Sequence, residues 1–205
     1  LLSGGAGHAV LNGGQNNWST TRIGTDPSDT VNCVRLGSPV DITLSQNGSP
    51  QKTYMRFNAK LSGGSESAPA DLIIQKGTWS WNNEYYYLLN AANDFRGDIY
   101  LNGAASGNNF EAVLYVGASG CPGKDSMLGN ANNAVILNRT SGCPCKLILS
   151  SMESTGLRHR VAGNGNVSEE SATTVLCLGD GFVADPGTAA ACQNLHPGRS
   201  SGIHR

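Results

Sequence analysis

Short runs of apolar residues recur along the chain, and a turn-forming residue closes almost every one. Val40 to Leu44 alternates apolar and polar side chains, which is the pattern of a strand with one buried face. The other runs are equally short: 54–57, 71–74, 85–89, 99–101, 113–116, 135–137, 147–149 and 175–176. Gly, Asn or Ser follows nearly all of them, and long helical periodicity is absent. The pattern therefore predicts an all-β chain of short strands.

Two segments of the chain align without gaps, Val113–Gly123 (VLYVGASGCPG) and Val135–Cys145 (VILNRTSGCPC). Both contain Ser-Gly-Cys-Pro, at an offset of 22 residues. This offset is about the length of one coil of a parallel β-solenoid, in which each turn buries its apolar face on the next. The repeat favours a β-solenoid. The alternative is a β-sandwich that reuses Ser-Gly-Cys-Pro as a turn in an antiparallel sheet.

The central third of the chain carries a longer pattern. The matching residues are Leu89, Asn90, Asn93, Phe95, Gly97, Ile99 and Leu101, then Val116-Gly117, then Leu128-Gly129-Asn130 ahead of Val135, Ile136 and Leu137. With these motifs, residues 71 to about 138 resemble the passenger-associated β-helix repeat of autotransporter proteins. The resemblance implies a secreted or self-assembling structural β-helix, and it carries no catalytic residue.

Arg96-Gly97-Asp98 is a tripeptide known from integrin ligands, and it lies inside this pattern. Strand alternation would place Phe95, Ile99 and Leu101 on an inward face and leave Arg96 and Asp98 outward. The sequence therefore predicts a strand with two solvated charges rather than a displayed loop, since a tripeptide motif alone is weak support for binding.

Composition supports a location outside the cell. The 205 residues include 27 glycines, only 14% are charged, and the net charge is −1. A nucleic-acid or membrane-surface protein would need a basic face, and no apolar stretch approaches the ~20 residues of a membrane span. The chain lacks a signal-peptide pattern at Leu1-Leu2-Ser3, so we expect a processed start. We expect an N-terminal arm with the first strands over 1–35, a β-rich structural domain over 36–180 and a C-terminal arm over 181–205.

The six cysteines predict three disulfides in an oxidising compartment: Cys33, Cys121, Cys143, Cys145, Cys177 and Cys192. The 22-residue repeat favours Cys121 with Cys143, and proximity favours Cys177 with Cys192. Cys33 with Cys145 follows by elimination. Zinc is the weaker interpretation because one residue separates Cys143 from Cys145, whereas zinc ligand pairs are usually two to four apart.

Catalytic chemistry is not indicated by any motif, and we expect neither an enzyme nor a bound cofactor or metal. The scattered histidines His8, His159, His196 and His204 are expected to be solvated or hydrogen-bonded. Trp79 and Trp81 would form a sugar-stacking platform if exposed, although the shortage of other large apolar residues favours the core. Candidate glycosylation sites are Asn17, Asn47, Asn138 and Asn166, each in an Asn-x-Ser/Thr sequon.

These features predict a secreted structural protein that forms an extracellular filament or surface assembly. Its partners would be copies of itself, added head to tail by strand addition, with the segment from Leu1 to Gly14 as the donated arm. The alternative is a carbohydrate-binding adhesin or lectin module whose partners are surface glycans. Nucleic acid and membrane insertion are not expected.

Overall fold

The computed structural model describes residues 2–4, 7–13, 20–44, 53–76, 83–104, 110–152 and 157–169. Within these ranges the chain forms strands and one 3-10 turn, Asp125–Leu128, and contains no α-helix. The strands are β1 Ala9–Gly13, β2 Thr20–Ile23, β3 Cys33–Leu36, β4 Val40–Leu44, β5 Thr53–Phe57, β6 Lys60–Gly63, β7 Leu72–Gln75, β8 Glu84–Leu88, β9 Ile99–Asn102, β10 Ala112–Val116, β11 Ala134–Asn138, β12 Cys145–Leu149, β13 Arg160–Gly163 and β14 Asn166–Glu169. As the sequence predicts, every strand is short.

The strands build a parallel β-solenoid. A first sheet has the order β1-β4-β7-β9-β11-β13, and a second has the order β14-β12-β10-β8-β5-β2. Neighbouring strands of both sheets are parallel, as are β3 and β6, which form a third and narrower face. The chain thus alternates between the two large sheets, and each turn stacks on the one before. The all-β solenoid is confirmed in preference to the antiparallel sandwich.

Most turns of the solenoid are longer than the 22 residues that the repeat predicts, although Lys146 and Asn166, aligned in the second sheet, are only 20 positions apart. Asn102 and Asn138, which are aligned on neighbouring turns, are 36 positions apart. The two segments that align in the sequence lie in different sheets, since β10 belongs to the second sheet and β11 to the first. Val113 consequently pairs with Lys146 on the next turn, and not with Val135.

Each copy of Ser-Gly-Cys-Pro instead forms a tight turn. Ala118 and Cys121 exchange backbone hydrogen bonds of 2.8 and 2.9 Å across one Ser-Gly pair, and Thr140 and Cys143 exchange bonds of 3.2 and 3.3 Å across the other. Gly120, at the tip of the first turn, has a φ of 77°, which glycine adopts without strain. The reused-turn interpretation of the motif is therefore right, although the sheets around it are parallel.

The core consists of columns of apolar side chains that run along the solenoid axis. The first sheet contributes a column of aligned residues that are at most 1% exposed, Val40, Leu72, Ile99, Val135 and Val161. The second sheet contributes another such column, Met55, Tyr86, Leu114, Leu147 and Val167. Burying one such side chain contributes about 1.5–3 kcal/mol, so these columns are the main force that holds the turns together.

Buried asparagines join the turns at both ends of the third face. The Asn93 side chain accepts a hydrogen bond from the Leu61 N–H and donates one to the Met127 carbonyl, both at 2.8 Å. Asn133 donates to the Phe95 carbonyl at 3.0 Å. Because these side chains reach residues on neighbouring turns, they satisfy backbone groups that the bend leaves without a ladder partner.

Candidate functional site

The outward side of the second sheet carries four tyrosines close together. Strand β8 supplies Tyr85 and Tyr87, β5 supplies Tyr54, and β10 supplies Tyr115. Residues two apart on a strand share a face, and the parallel register aligns Tyr54 with Tyr85 and Tyr87 with Tyr115. We call these four side chains the tyrosine face.

The rings of the tyrosine face form one continuous aromatic surface. Tyr54 stacks on Tyr85 with ring centroids 5.3 Å apart, and Tyr87 stacks on Tyr115 at 4.6 Å. Between the stacks, the diagonal centroid distances are 6.4 and 6.2 Å. The guanidinium carbon of Arg56 lies 4.8 Å from the Tyr87 ring centre, in cation–π geometry. Strand spacing of ~4.8 Å is what brings aligned rings into stacking range.

Exposure and polar neighbours differ across this face. Tyr87 is 9% exposed, whereas the other three tyrosines are half-buried and present ring area outward. The Asn83 side chain donates to the Tyr85 hydroxyl at 3.2 Å. Nearby, Lys146 and Glu111 form an ion pair of 2.5 Å. An aromatic surface with a polar rim of this kind can stack on the apolar face of a sugar ring while the rim bonds its hydroxyls.

The sequence located this site only in part. It marked residues 85–87 as an aromatic strand, but Tyr54 and Tyr115 join the face from neighbouring turns, and the wrong turn length hid their alignment. At the true register they are the aligned partners of Tyr85 and Tyr87. Trp79 and Trp81, the predicted sugar-stacking residues, lie outside the described residues.

The disulfide prediction needs correction. In the described part of the chain the cysteines are free thiols, namely Cys33, Cys121, Cys143 and Cys145. Pairing Cys121 with Cys143 was wrong because these residues follow strands of different sheets, so the 22-residue offset does not place them on neighbouring turns. Pairing Cys33 with Cys145 was also wrong, since β3 and β12 are four turns apart, roughly 19 Å at ordinary strand spacing.

Cys177 and Cys192 lie outside the described residues, so their disulfide stays a prediction. Because four of the six cysteines are free thiols, the number of cysteines gives little support for an oxidising compartment.

Two of the free thiols lie side by side in the core. Cys143 and Cys145 are each 1% exposed. The pKa of Cys143 is lowered to about 6, and the largest cause is the hydrogen bond from Cys145. Burial acts in the opposite direction and raises this pKa. The N–H groups of Ala104 and Ala112 and the charge of Lys76 lower it further. The same contact with Cys143, together with burial, raises the pKa of Cys145.

These thiols belong to a larger polar group inside the solenoid, which we call the interior polar cluster: Lys76, Glu84, Tyr86, Cys143 and Cys145. Every member is at most 2% exposed. The Tyr86 hydroxyl donates to a Glu84 carboxylate oxygen at 2.8 Å, and burial followed by the charge of Glu84 raises the pKa of Tyr86. Burying ionisable groups costs free energy unless they have hydrogen-bond or charge partners, and here the members of the cluster are partners of one another.

The Arg-Gly-Asp tripeptide is part of the solenoid wall. Phe95, Ile99 and Leu101 are fully buried, Arg96 is exposed and Asp98 is half-buried, so the predicted alternation is confirmed. The predicted strand with two solvated charges is wrong at the tripeptide itself, because β9 begins only at Ile99 and the Asp98 carboxylate accepts a hydrogen bond from the Ala134 N–H at 2.7 Å. The backbone of this segment bonds to the turn before it, since the Arg96 N–H donates to the Gly63 carbonyl and its carbonyl accepts from the Ala70 N–H, each at 2.8 Å. It also bonds to the turn after it, since the Phe95 carbonyl accepts from the Asn130 N–H at 3.0 Å.

The glycosylation candidates fall in different places. Asn138 is exposed at the end of β11, where its side chain donates to the Asn102 side chain at 2.8 Å. Asn166 is half-buried at the start of β14, and Asn17 and Asn47 lie outside the described residues.

Comparison with known proteins gives no match: no family model fits the chain, and no curated protein or solved structure is significantly similar to it. Among the described residues, no group of three or more His, Cys, Asp or Glu side chains is placed to hold a metal ion. In the same ranges, no helix is both long enough and apolar enough to cross a bilayer.

Proposed function

We propose that this chain is a secreted structural subunit that polymerises head to tail, with the end turn of one solenoid adding strands to the end turn of the next. The observation that carries the proposal is the arrangement of the outermost strands. Among the described strands, β1 and β2 end the two large sheets on one side, and β13 and β14 end them on the other. Two unlike ends make a heterologous contact, and its repetition gives an open filament.

The edge of β1 is suited to such pairing. The Ala9 N–H donates to the Pro39 carbonyl at 2.9 Å, inside the subunit's own sheet. Alternate residues of a parallel strand bond to opposite neighbours, so the N–H and carbonyl of Val10 face away from β4. The Val10 side chain is 63% exposed. An apolar edge strand without charge or proline is an open template for another strand.

Strand addition by a detached N-terminal arm does not fit this geometry. Residues Ala9–Gly13 pair in parallel with β4 of the same subunit, and Ala9 is 8% exposed. Leu2 also forms a bridge with Leu36 on the third face. A departing arm would have to break these contacts. The proposed contact therefore joins intact end turns.

The test is Val10→Pro, compared with Val10→Thr. Proline removes the outward N–H while leaving the bonds to β4, so we expect filaments to disappear and the monomer to keep its circular dichroism and thermal midpoint. Threonine keeps the N–H and the branched shape, so its filaments should persist. If Val10→Pro unfolds, Asn12→Pro removes the next outward N–H instead. Normal filaments from a folded proline variant would contradict the proposal.

Secretion and kinship with autotransporter passengers are parts of the same proposal. They are supported by the solenoid fold and by a surface with few charges, 14% of all residues. Cell fractionation of the native source tests secretion: recovery in the medium or at the cell surface is expected, and recovery with cytosolic markers would contradict it.

The tyrosine face supports a second candidate function, glycan binding by an adhesin module. Stacked, half-exposed rings are a surface on which sugars bind. We expect Tyr54→Ala and Tyr85→Ala each to weaken binding to a panel of soluble neutral polysaccharides in affinity electrophoresis. A lost aromatic contact of ~0.5–1.5 kcal/mol corresponds to roughly 2- to 12-fold. Tyr100→Ala is the matched control, since Tyr100 is half-buried on the first sheet. Equal retardation of all three variants and the wild type would rule this function out.

A further inference from the structure

Two arginines lie beside the tyrosine face, on the side where the second sheet ends with β2. The parallel register aligns Arg22 of β2 with Arg56 of β5, and Arg56 in turn with Tyr87 of β8. Arg22 is exposed and Arg56 is half-buried. Because neighbouring strands are ~4.8 Å apart, the two aligned arginines are immediate neighbours on the outward face of the sheet. We call them the arginine pair.

The arginine pair carries two positive charges without a carboxylate partner. Within the described ranges neither guanidinium takes part in an ion pair. Asp26 and Asp29, the carboxylates that follow Arg22 most closely in the sequence, accept hydrogen bonds inside their own loop. Like charges that are aligned on neighbouring strands destabilise a sheet. An anion that accepts hydrogen bonds from both arginines would remove this repulsion.

The ring of Tyr54 provides a stacking surface next to the arginine pair. On its β8 side this ring stacks on Tyr85, with the ring centroids 5.3 Å apart. On its β2 side the aligned residue is the small and exposed Thr20, and no aromatic ring of the described residues covers Tyr54 there. Tyr54 and Arg56 are two residues apart on β5 and therefore share the outward face. A ring surface and two cations thus meet over β2.

We propose that the end of the tyrosine face over β2 binds an acidic sugar unit of a polysaccharide, with the sugar ring on Tyr54 and its carboxylate or sulfate group on the arginine pair. This inference rests on the glycan-binding function proposed above for the tyrosine face, and it names the class of glycan. A guanidinium can donate two parallel N–H bonds to such an anion. The apolar face of the sugar ring packs on the aromatic ring.

An acidic polysaccharide fits this surface better than a single-stranded nucleic acid. A nucleic acid is held by a basic groove that follows its backbone and by several aromatic rings on which successive bases stack. Here one side of one ring is open, and Lys146, the remaining cation among the described residues of this outward face, is paired with Glu111. The net charge of the whole chain is −1. The surface therefore suits one sugar ring with one anionic group.

Isothermal titration calorimetry of the full-length protein tests the requirement for charge. Polygalacturonate and its methyl ester share one backbone and differ in the free carboxylate, and dextran sulfate and dextran make the same comparison for sulfate. We expect the charged polymer of at least one pair to bind more tightly than its neutral partner. Added salt should reduce this difference, because interactions between exposed charges are screened.

Substitutions in the arginine pair test the location of the site. Arg22→Gln and Arg56→Gln each remove one charge and keep a long polar side chain. Each should weaken binding of the charged polymer roughly 2- to 5-fold and leave binding of the neutral polymer little changed. Arg35→Gln is the matched control, because Arg35 is exposed on β3 and aligned with Ser62, away from the second sheet. Unchanged thermal midpoints in circular dichroism would show that all three variants are folded.

The outcomes separate this inference from the function on which it rests. If charged and neutral polymers bind equally while Tyr54→Ala weakens both, the inference is overturned and glycan binding stands. It is also overturned if Arg35→Gln weakens binding as much as the substitutions in the arginine pair. Absence of binding to all four polymers overturns the glycan-binding function as well. Tighter binding of single-stranded oligothymidylate, lost in the same two variants, would assign the site to nucleic acid instead.

Discussion

At the scale of single residues, buried polar groups show most clearly how the chain is held. His159 is 2% exposed and lies between two acceptors, with Nδ1 2.8 Å from an Asp125 carboxylate oxygen and Nε2 2.9 Å from the Asn130 carbonyl. The Asn130 carbonyl can only accept, so Nε2 donates to it while Nδ1 contacts the carboxylate. The sequence predicted that this histidine is solvated or hydrogen-bonded, and the structure shows the second case, but distant Asp125 could not be identified as its partner.

Asp125 should make stability depend on pH in acid. Burial works to raise the pKa of Asp125, but hydrogen bonds from the His159 side chain and the Arg158 N–H outweigh it, so the pKa lies below 3.8. Because the pKa of Asp125 is lower in the folded than in the unfolded protein, its ionised carboxylate stabilises the fold at pH values above the unfolded-state pKa. This stabilisation is lost as the pH falls through the folded-state pKa. Asp125→Asn should therefore destabilise by about 1.5–3 kcal/mol at pH 7, and the deficit should shrink below roughly pH 4.

Urea denaturation between pH 7 and pH 3 measures this difference. Glu66→Gln is the control, because Glu66 is exposed, and its stability should follow the wild type throughout. An Asp125→Asn deficit that stays constant over the whole range would show that the charge of Asp125 plays no part.

At the scale of elements, strand alternation could be predicted from the sequence, whereas the length of a turn could not. Alternation over 40–44 and 95–101 gives the correct inward faces, because it depends only on neighbouring residues. The turn length depends on connections of unequal size: aligned residues are 27 positions apart at Asp71 and Asp98 but 36 apart at Asn102 and Asn138. No fixed offset describes such a chain, so the sequence placed Cys121 and Cys143 on neighbouring turns wrongly and missed the tyrosine face.

Phe95→Ala tests the inward face of the wall segment. The ring is fully buried, and its removal leaves a cavity in the core, so we expect a loss of ~3–5 kcal/mol in the free energy of unfolding. Arg96→Ala, one residue along and exposed, is the control and should change stability by less than about 0.5 kcal/mol. Equal effects of the two substitutions in chemical denaturation would place Phe95 on the wrong face.

At the scale of the whole molecule, the solenoid joins neighbouring turns without a disulfide among its described cysteines. Apolar columns and corner asparagines connect each turn to the next, and the same strand pairing that builds the subunit is available again at the outward edge of β1. A filament would thus be held together by the same parallel strand pairing that stacks the turns inside one subunit. In the proposed assembly, each large sheet continues from one subunit into the next.

Electron microscopy of the full-length protein over a range of concentrations tests this central claim most directly. The described residues place six strands in each large sheet, and at ~4.8 Å spacing these strands alone predict filaments with an axial repeat of at least about 29 Å per subunit. Strands should run perpendicular to the filament axis. Protein that stays monomeric at every concentration, or filaments whose subunits lie side by side with an unrelated axial repeat, would contradict the head-to-tail account.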